Sequence, residues 1–524
     1  MTVDDQRATI EYLASPSTHG GAAVDRIDTH GAIVFLAGSR AWKLKRAVRF
    51  DYMDFSTKER RKTMCEAEVR LNQRTAPTIY RGVVPVTRAP DGTLELNGAW
   101  APVDWVIEMN RFDQDLLLDR LASAGRLDVR LMPSLGSAVA AFHMVADHRQ
   151  DHGGRVGMQW VIEGNAAGFS EFGRECLTPS ACTILTDHAK AELDRRGALL
   201  DARRTAGCVR QCHGDLHLRN IVLLDGRPTL FDAVEFNDEI ACIDVMYDLA
   251  FLLMDLWRRR LPRHANAVWN SYLAGTGDWD GLPLLPLFLS CRAAVRAKTS
   301  ATAAGMQVDA RAAEQLRASA KEYLALAERL LHPPEPSLMA IGGLSGSGKS
   351  TLALGLAPLV GGVPGAVVLR SDEIRKRLRR ASPLERLGPE AYTASTSREV
   401  YATAARHAAS VVGAGHSVIV DAVFADSRER DAIEGVATAA SVPFFGLWLD
   451  APETILIDRT QQRGEDASDA TADVVRLQLA RSVGAIAWPR IDASMNAEAV
   501  LRHALTHLDA QALVTRDHDR IAGV

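Results

Sequence analysis

Nine consecutive residues, Gly343-Leu344-Ser345-Gly346-Ser347-Gly348-Lys349-Ser350-Thr351, constrain this chain more than any other segment. They follow the apolar run Leu338-Met339-Ala340-Ile341 and precede TLALGLAPL, so a strand should enter the glycine-rich turn and a helix should leave it. The pattern G-x-x-x-x-G-K-[ST] suits phosphates. Its glycines let backbone N–H groups face an anion, and the helix N-terminus adds favourable potential. Lys349 reaches the β/γ-phosphates and Ser350 binds Mg²⁺. Gly343, Ser345, Gly346, Ser347, Gly348, Lys349, Ser350 and Thr351 are therefore expected to hold ATP. Beyond the turn, AVVLRSD, SVIVDAV and FFGLWLD alternate with helical stretches, the sign of a parallel sheet with crossover helices.

What such a site does depends on its other strand ends, because ligands of these sheets sit at the carboxyl edge. AVVLRSD ends in Ser371-Asp372, with Arg375 one helical turn later. Asp372 is placed to accept a proton from an acceptor hydroxyl, and Arg375 to bind that acceptor or the moving phosphoryl group. The strand from Ser417 to Val420 ends in Asp421, a metal or water ligand. Arg459 and Arg463, spaced i,i+4 before Gly464-Glu465-Asp466-Ala467-Ser468-Asp469-Ala470, suggest a mobile lid carrying arginines over the phosphates.

A second constellation lies upstream: His213-Gly214-Asp215-Leu216-His217-Leu218-Arg219-Asn220, then a strand, a turn at Asp225-Gly226, and Thr229-Leu230-Phe231-Asp232. Phosphoryl transfer asks the protein for a base near the attacking hydroxyl and for oxygen ligands that hold Mg²⁺ on the phosphates. Asp215, five residues before Asn220 and followed by Asp232 on a hairpin, has that spacing. A lysine on an earlier strand, paired with a glutamate on the next helix, should position the α/β-phosphates. Lys43 lies in AWKLKRAV, with Lys45 competing on the same face. In the helical stretch Lys58 to Asn72, Glu66 and Glu68 are both open. Glu68 is preferred because it shares a face with Met64 and Leu71. His217, Glu235 and Asp244 either serve the site or fix loops, and Glu108-Met109 is a plausible hinge against adenine.

The chain has 524 residues, more than one hydrophobic core usually organises. The clearest seam is His332-Pro333-Pro334-Glu335-Pro336-Ser337, so the expected domains are 1–331 and 338–524, joined by a proline-rich linker over 332–337. A formal charge of −4 without basic blocks disfavours nucleic acid as a partner. The N-terminus has no secretory pattern and no apolar run is long enough to span a bilayer, so a cytoplasmic location away from membranes is expected. The cysteines are scattered and odd in number, which speaks against a disulfide framework. Cys208, Cys212 and His213 lack a second ligand pair, and no structural zinc is expected.

HGDLHLRN with FDAVEF, extended by Ile243-Asp244-Val245-Met246-Tyr247-Asp248-Leu249-Ala250, resembles the catalytic and metal segments of the aminoglycoside phosphotransferase family, a small-molecule branch of the protein-kinase-like fold. The resemblance implies Asp215 as the base, Asn220 and Asp232 as metal ligands, and Asp248 as a brace for the loop. The family's protein-kinase cousins carry G-x-G-x-x-G before the first strand pair, where this chain has only Thr29-His30-Gly31. The second half, with SDEIR and R-x-x-x-R, looks like the small P-loop kinases related to gluconate kinase, polynucleotide 5′-kinase domains and zeta toxins. The order of modules resembles the bifunctional aminoglycoside phosphotransferase/ATP-binding protein family over nearly the full length. The expected fold is thus two domains: an α+β protein-kinase-like domain of the aminoglycoside phosphotransferase type and an α/β P-loop NTPase with a parallel sheet. The expected function is a bifunctional ATP- and Mg²⁺-dependent kinase acting on hydroxyls of small molecules such as sugars or amino sugars. Two alternatives stand beside it: a single kinase whose P-loop domain is a regulatory ATP-binding module, and a P-loop polynucleotide-end kinase.

Overall fold

The computed structural model describes residues 4–382, 384–462, 467–480 and 483–509. By internal contacts the chain divides into two compact units. One gathers the chain up to Asn165 together with Lys190–Asp255; the other gathers Ala166–Ala189 and the chain from Leu256 onward. The proline segment 332–337 lies inside the second unit.

The first unit is built on an antiparallel sheet of strands β1 (Val24–Asp28), β2 (Ala32–Ala37), β3 (Arg40–Lys45), β4 (Tyr80–Arg88), β5 (Leu94–Leu96) and β6 (Pro102–Asn110), ordered β1-β2-β3-β6-β4-β5. Lys43 of β3 stands opposite Val34 of β2 and Ile107 of β6. Because side chains alternate along a strand, Lys43 and Lys45 share a face. The helix Lys58–Asn72 starts at Thr57, whose hydroxyl accepts from Arg60 N, and buries Cys65, Glu68, Val69 and Leu71. Leu36, Ala41, Ile79 and Ile107 pack with Cys65 and Val69 into one core cluster, while Ile33, Phe35, Leu44 and Val106 form another with Leu13.

After the sheet come helices and two short strand pairs. β7 (Val209–Gln211) pairs with β10 (Cys242–Asp244), and β8 (Ile221–Leu224) pairs with β9 (Arg227–Leu230). Asp225 and Gly226 both take positive φ, 48° and 74°, the conformation a two-residue hairpin turn requires. The helix Val245–Arg258 carries Asp248 and Asp255 two turns apart on one face.

The second unit contains a parallel sheet of β11 (Leu338–Gly343), β12 (Val367–Arg370), β13 (Val418–Asp421), β14 (Phe444–Asp450) and β15 (Arg490–Asp492), ordered β12-β13-β11-β14-β15. Met339, Ile341, Ile419, Leu447 and Leu449 bury one face against Leu352, Leu356, Val500 and Leu508 of flanking helices. The edge strand β12 is covered by the helix Pro262–Thr276 of the same unit. Asn270 Oδ1 accepts from Val368 N at 2.7 Å, and Asn266 Nδ2 donates to Ala366 O at 3.0 Å, so two side chains stand in for a neighbouring strand. Among the described residues, no helix is long and apolar enough to cross a membrane.

Candidate active sites

In the first unit the charges converge on Glu68. Lys43 Nζ donates to Glu68 Oε1 at 2.7 Å and to Asp232 Oδ1 at 2.5 Å, while Lys45 Nζ donates to Glu68 Oε2 at 2.6 Å and also bonds Glu235 Oε1. The structure therefore engages both lysines instead of choosing one. Glu66 stays exposed and pairs only loosely with Lys62, at 3.8 Å. Burial opposes the charge of Lys43, yet Asp232 and Glu68 outweigh it and hold the pKa well above its ordinary value. Burial also pushes against ionised Glu68, but Lys43 and Lys45 prevail and bring it down to about 2. Glu235 moves the other way, raised by burial against the pull of Lys45.

The loop bearing Asp215 is held from behind. Asp248, fully buried, accepts from His213 N at 3.1 Å through Oδ2 and from Gly214 N at 2.9 Å through Oδ1, and His143 Nε2 lies 3.1 Å from Oδ2. Two turns on, Asp255 Oδ2 accepts from Leu218 N at 3.1 Å. Asn220 Nδ2 donates to Asp215 O and Oδ2, each at 3.0 Å, and His217 Nε2 stands 3.3 Å from Asp215 Oδ2. The Asp215 side chain is still 42% exposed, so a substrate can reach it. Phe231 N donates to Asn220 O at 3.0 Å, which ties Asn220 to the segment carrying Asp232. Asp232 itself has φ of 63°, an uncommon left-handed conformation for a residue with a side chain. It is secured by Tyr80, whose hydroxyl accepts from Asp232 N at 3.2 Å, and by Asn72, whose Oδ1 accepts from Ala233 N at 2.8 Å.

Other residues weighed from the sequence have plainer places. Asp244 receives both arms of buried Arg203, each at 2.8 Å, and so fixes a loop. Glu108 lies within β6 beside Arg40 and Arg81, and the strand runs on to Asn110, past the point where a hinge was expected.

In the second unit β11 ends at Gly343 and a helix starts at Lys349, with Ser350 and Thr351 in its first turn. Gly346 has φ of 85°, and a Cβ there would lie 2.3 Å from Leu456 O; only glycine lets the loop pass this close. Lys349 Nζ donates to Leu344 O at 3.0 Å across the turn. Ser347 Oγ is buried without a hydrogen-bond partner, the kind of orphaned polar atom that a ligand cradle leaves. Ser350 Oγ donates to Asp421 Oδ2 at 2.5 Å, and Arg370 Nη2 donates to Ser350 Oγ at 3.2 Å while its Nε lies 3.6 Å from Asp421. Burial pushes the Asp421 carboxyl up against the pull of Lys349 and Arg370. Oxygen donors so arranged suit a hard divalent cation, as do Asn220 and Asp232 in the first unit.

Three arginines were expected around this cradle. Arg375, nearly buried, donates Nη1 to Ala391 O at 2.7 Å and stacks on Tyr392 at 4.8 Å, so it shapes the segment after the helix Ser371–Leu378, which carries Asp372 in its first turn. Arg459, expected in a lid, instead donates to Ala493 O at 2.7 Å and Met495 O at 2.9 Å, a clasp that uses two of its nitrogens on backbone. Arg463 lies outside the described residues.

Several partners escaped the sequence reading. Gln478 accepts from Ser345 N at 2.8 Å and donates to Ser345 Oγ at 3.1 Å. Asp469 accepts from Tyr392 Oη at 2.7 Å and Leu387 N at 3.1 Å and lies 3.3 Å from Lys376. Arg370, Tyr80, Asn72 and His143 also went unmarked; each sits far along the chain from the motif it supports.

The phosphotransferase enzyme family matches residues 55–285, and an AAA domain matches residues 338–483. An uncharacterized protein of Mycobacterium tuberculosis is 30% identical over 478 residues, spanning 90% of this chain and 92% of the relative. The chain belongs to the bifunctional aminoglycoside phosphotransferase/ATP-binding protein family. In this chain a phosphotransferase domain is followed by a P-loop domain, and the protein is an ATP-dependent kinase. Among solved structures, a choline/ethanolamine kinase family protein from Mesorhizobium loti covers 62% of this chain and 94% of its own length at 13% identity, with a TM-score of 0.39. A sugar kinase from Janibacter sp. covers 35% of this chain and 100% of its own at 24% identity, with a TM-score of 0.26.

Proposed function

We propose that this family member phosphorylates hydroxyl groups of small molecules such as sugars or amino sugars, with a transfer site in each unit. The observation that carries the reading is the convergence, in the first unit, of an accessible Asp215 with Asn220, Asp232 and the Glu68-held Lys43. Asp215 takes the proton of the acceptor hydroxyl as its oxygen bonds to the γ-phosphorus. The bond from that phosphorus to the β,γ-bridging oxygen breaks, and ADP leaves. Lys43, fixed in place by Glu68, binds the α/β-phosphates. In the second unit the turn 343–351 holds the triphosphate, Lys349 reaches the β/γ-phosphates, and Asp372 serves as base. Asn220 with Asp232, and Ser350 with Asp421, would hold Mg²⁺, which would supply positive charge against the negative charge that develops on the phosphates.

The test is a panel of sugar, amino sugar and polyol acceptors with ATP, read as phosphorylated product. Asp215→Ala and Asp372→Ala should each remove product. If neither variant changes product formation or ATP turnover, the reading is wrong. A regulatory role for the second unit is favoured by one observation, that Arg375 and Arg459 are engaged with the protein's own backbone. Under that reading Lys349→Ala alters the rate of the first site and removes no separate product.

A further inference from the structure

Three side chains of the second unit that belong to neither site meet at one point. His188 lies on the helix Pro179–Thr205, Glu328 on the helix Ala310–Leu331, and His332 caps the end of that second helix where the proline segment begins. His188 Nδ1 is 2.7 Å from Glu328 Oε1, His332 Nε2 is 3.2 Å from the same oxygen, and the two ring nitrogens are 3.2 Å apart. The imidazole rings are perpendicular, at 90° with centroids 5.0 Å apart, and do not stack, while the two ring nitrogens and the carboxylate oxygen lie within 3.2 Å of one another.

From this geometry we infer a transition-metal site, with His188, Glu328 and His332 as ligands of a divalent cation of the zinc class. A zinc ion binds imidazole nitrogen and carboxylate oxygen at about 2.0–2.2 Å, which puts neighbouring ligand atoms about 2.9 Å apart at right angles and about 3.3 Å apart in a tetrahedron. The three observed separations fall on or near that range. Two imidazoles with one carboxylate select against Mg²⁺ and Ca²⁺, which take oxygen ligands, so the site is chemically separate from the nucleotide-bound cation. Side-chain exposures of 45%, 33% and 59% for His188, Glu328 and His332 leave it open to solvent, with room for water to complete the shell. Occupied, it would staple the helix bearing His188 to the first residue of the segment that leads into β11 and the phosphate turn.

The test uses the full chain, stripped of metal and titrated with Zn²⁺ alone in competition with a chromogenic chelator. One equivalent should bind, be lost in His188→Ala and separately in His332→Ala, and be weakened in Glu328→Gln. It should persist in the double variant His503→Ala/His507→Ala, which removes a second close histidine pair, with ring centroids 5.2 Å apart. Circular dichroism of each variant checks that the fold is kept, and excess Mg²⁺ should leave the bound zinc in place. Equal zinc uptake by the wild type and His188→Ala, no uptake by either, or loss only in the double variant would overturn the assignment in favour of a carboxylate merely hydrogen-bonded to two histidines.

Discussion

Lys43 and Lys45 keep their charges in a buried setting because carboxylates face them, Asp232 and Glu68 for the first and Glu235 and Glu68 for the second. Removing one partner of a buried charge cluster strands the others, which typically costs about 3–5 kcal/mol. Glu68→Gln should therefore lower stability by about that amount in urea denaturation, and lower activity with it. The pH dependence follows from the same contacts. The Glu68 pKa in the folded chain is depressed to about 2, so its contribution is complete above the ordinary carboxylate range and disappears as pH falls from there towards 2. The shift amounts to roughly 3 kcal/mol. Lys43 and Lys45 are raised, so theirs is present below the ordinary lysine range and lost only as pH climbs through the raised values. Glu235, also raised, costs stability once pH passes the ordinary glutamate range, partly offsetting Glu68. Acid titration of stability should show a steeper limb in the wild type than in Glu68→Gln. Asp248→Asn makes a different test. It turns an acceptor of two backbone N–H groups into a group with one acceptor, leaving a buried donor unmet at about 1–3 kcal/mol. The expected result is a fall in melting temperature together with a fall in kcat, since the displaced loop carries Asp215. Of these residues the sequence marked Glu68 through its helical face, but it could not show that one carboxylate serves both lysines. That depends on the sheet bringing β3 against the helix.

At the scale of elements, the phosphate turn and the parallel strands were legible because glycine at fixed offsets and period changes in apolar residues are local signals. The helix Lys58–Asn72 was read to its observed ends for the same reason. The strand order β12-β13-β11-β14-β15 was not legible, since no local pattern says which strand lies beside which. The arginine spaced for a lid illustrates the limit: i,i+4 spacing places Arg459 on a helix face but says nothing of Ala493 and Met495, which lie 34 and 36 residues away. Arg459→Ala should cost about 1.5–3 kcal/mol, the worth of hydrogen bonds from a charged group, while nucleotide affinity at the second site stays near the wild-type value. Gly346→Ala should do the reverse. Its added Cβ meets the Leu456 carbonyl, so the turn must shift, and binding of a fluorescent ATP analogue at that site should be lost.

For the whole molecule, the central question is whether the two sites act on one chemistry or two. If each unit transfers phosphate independently, Asp215→Ala and Asp372→Ala will each remove a different product and leave the other's rate unchanged in mass-spectrometric assays. The chain's seam also has a practical meaning. The proline segment invites division at 332–337, yet the helix Pro262–Thr276 lies before it and supplies Asn266 and Asn270 to the open side of β12. His416, next to β13, also bonds Leu282 O at 2.9 Å from before the segment. A fragment starting at Leu338 would leave the backbone groups of β12 free to recruit the same strand from another copy, edge to edge. Light scattering should find that fragment aggregating as its concentration rises, and one that starts at Leu256 staying dispersed; the asparagine pair would then act as a guard against self-association.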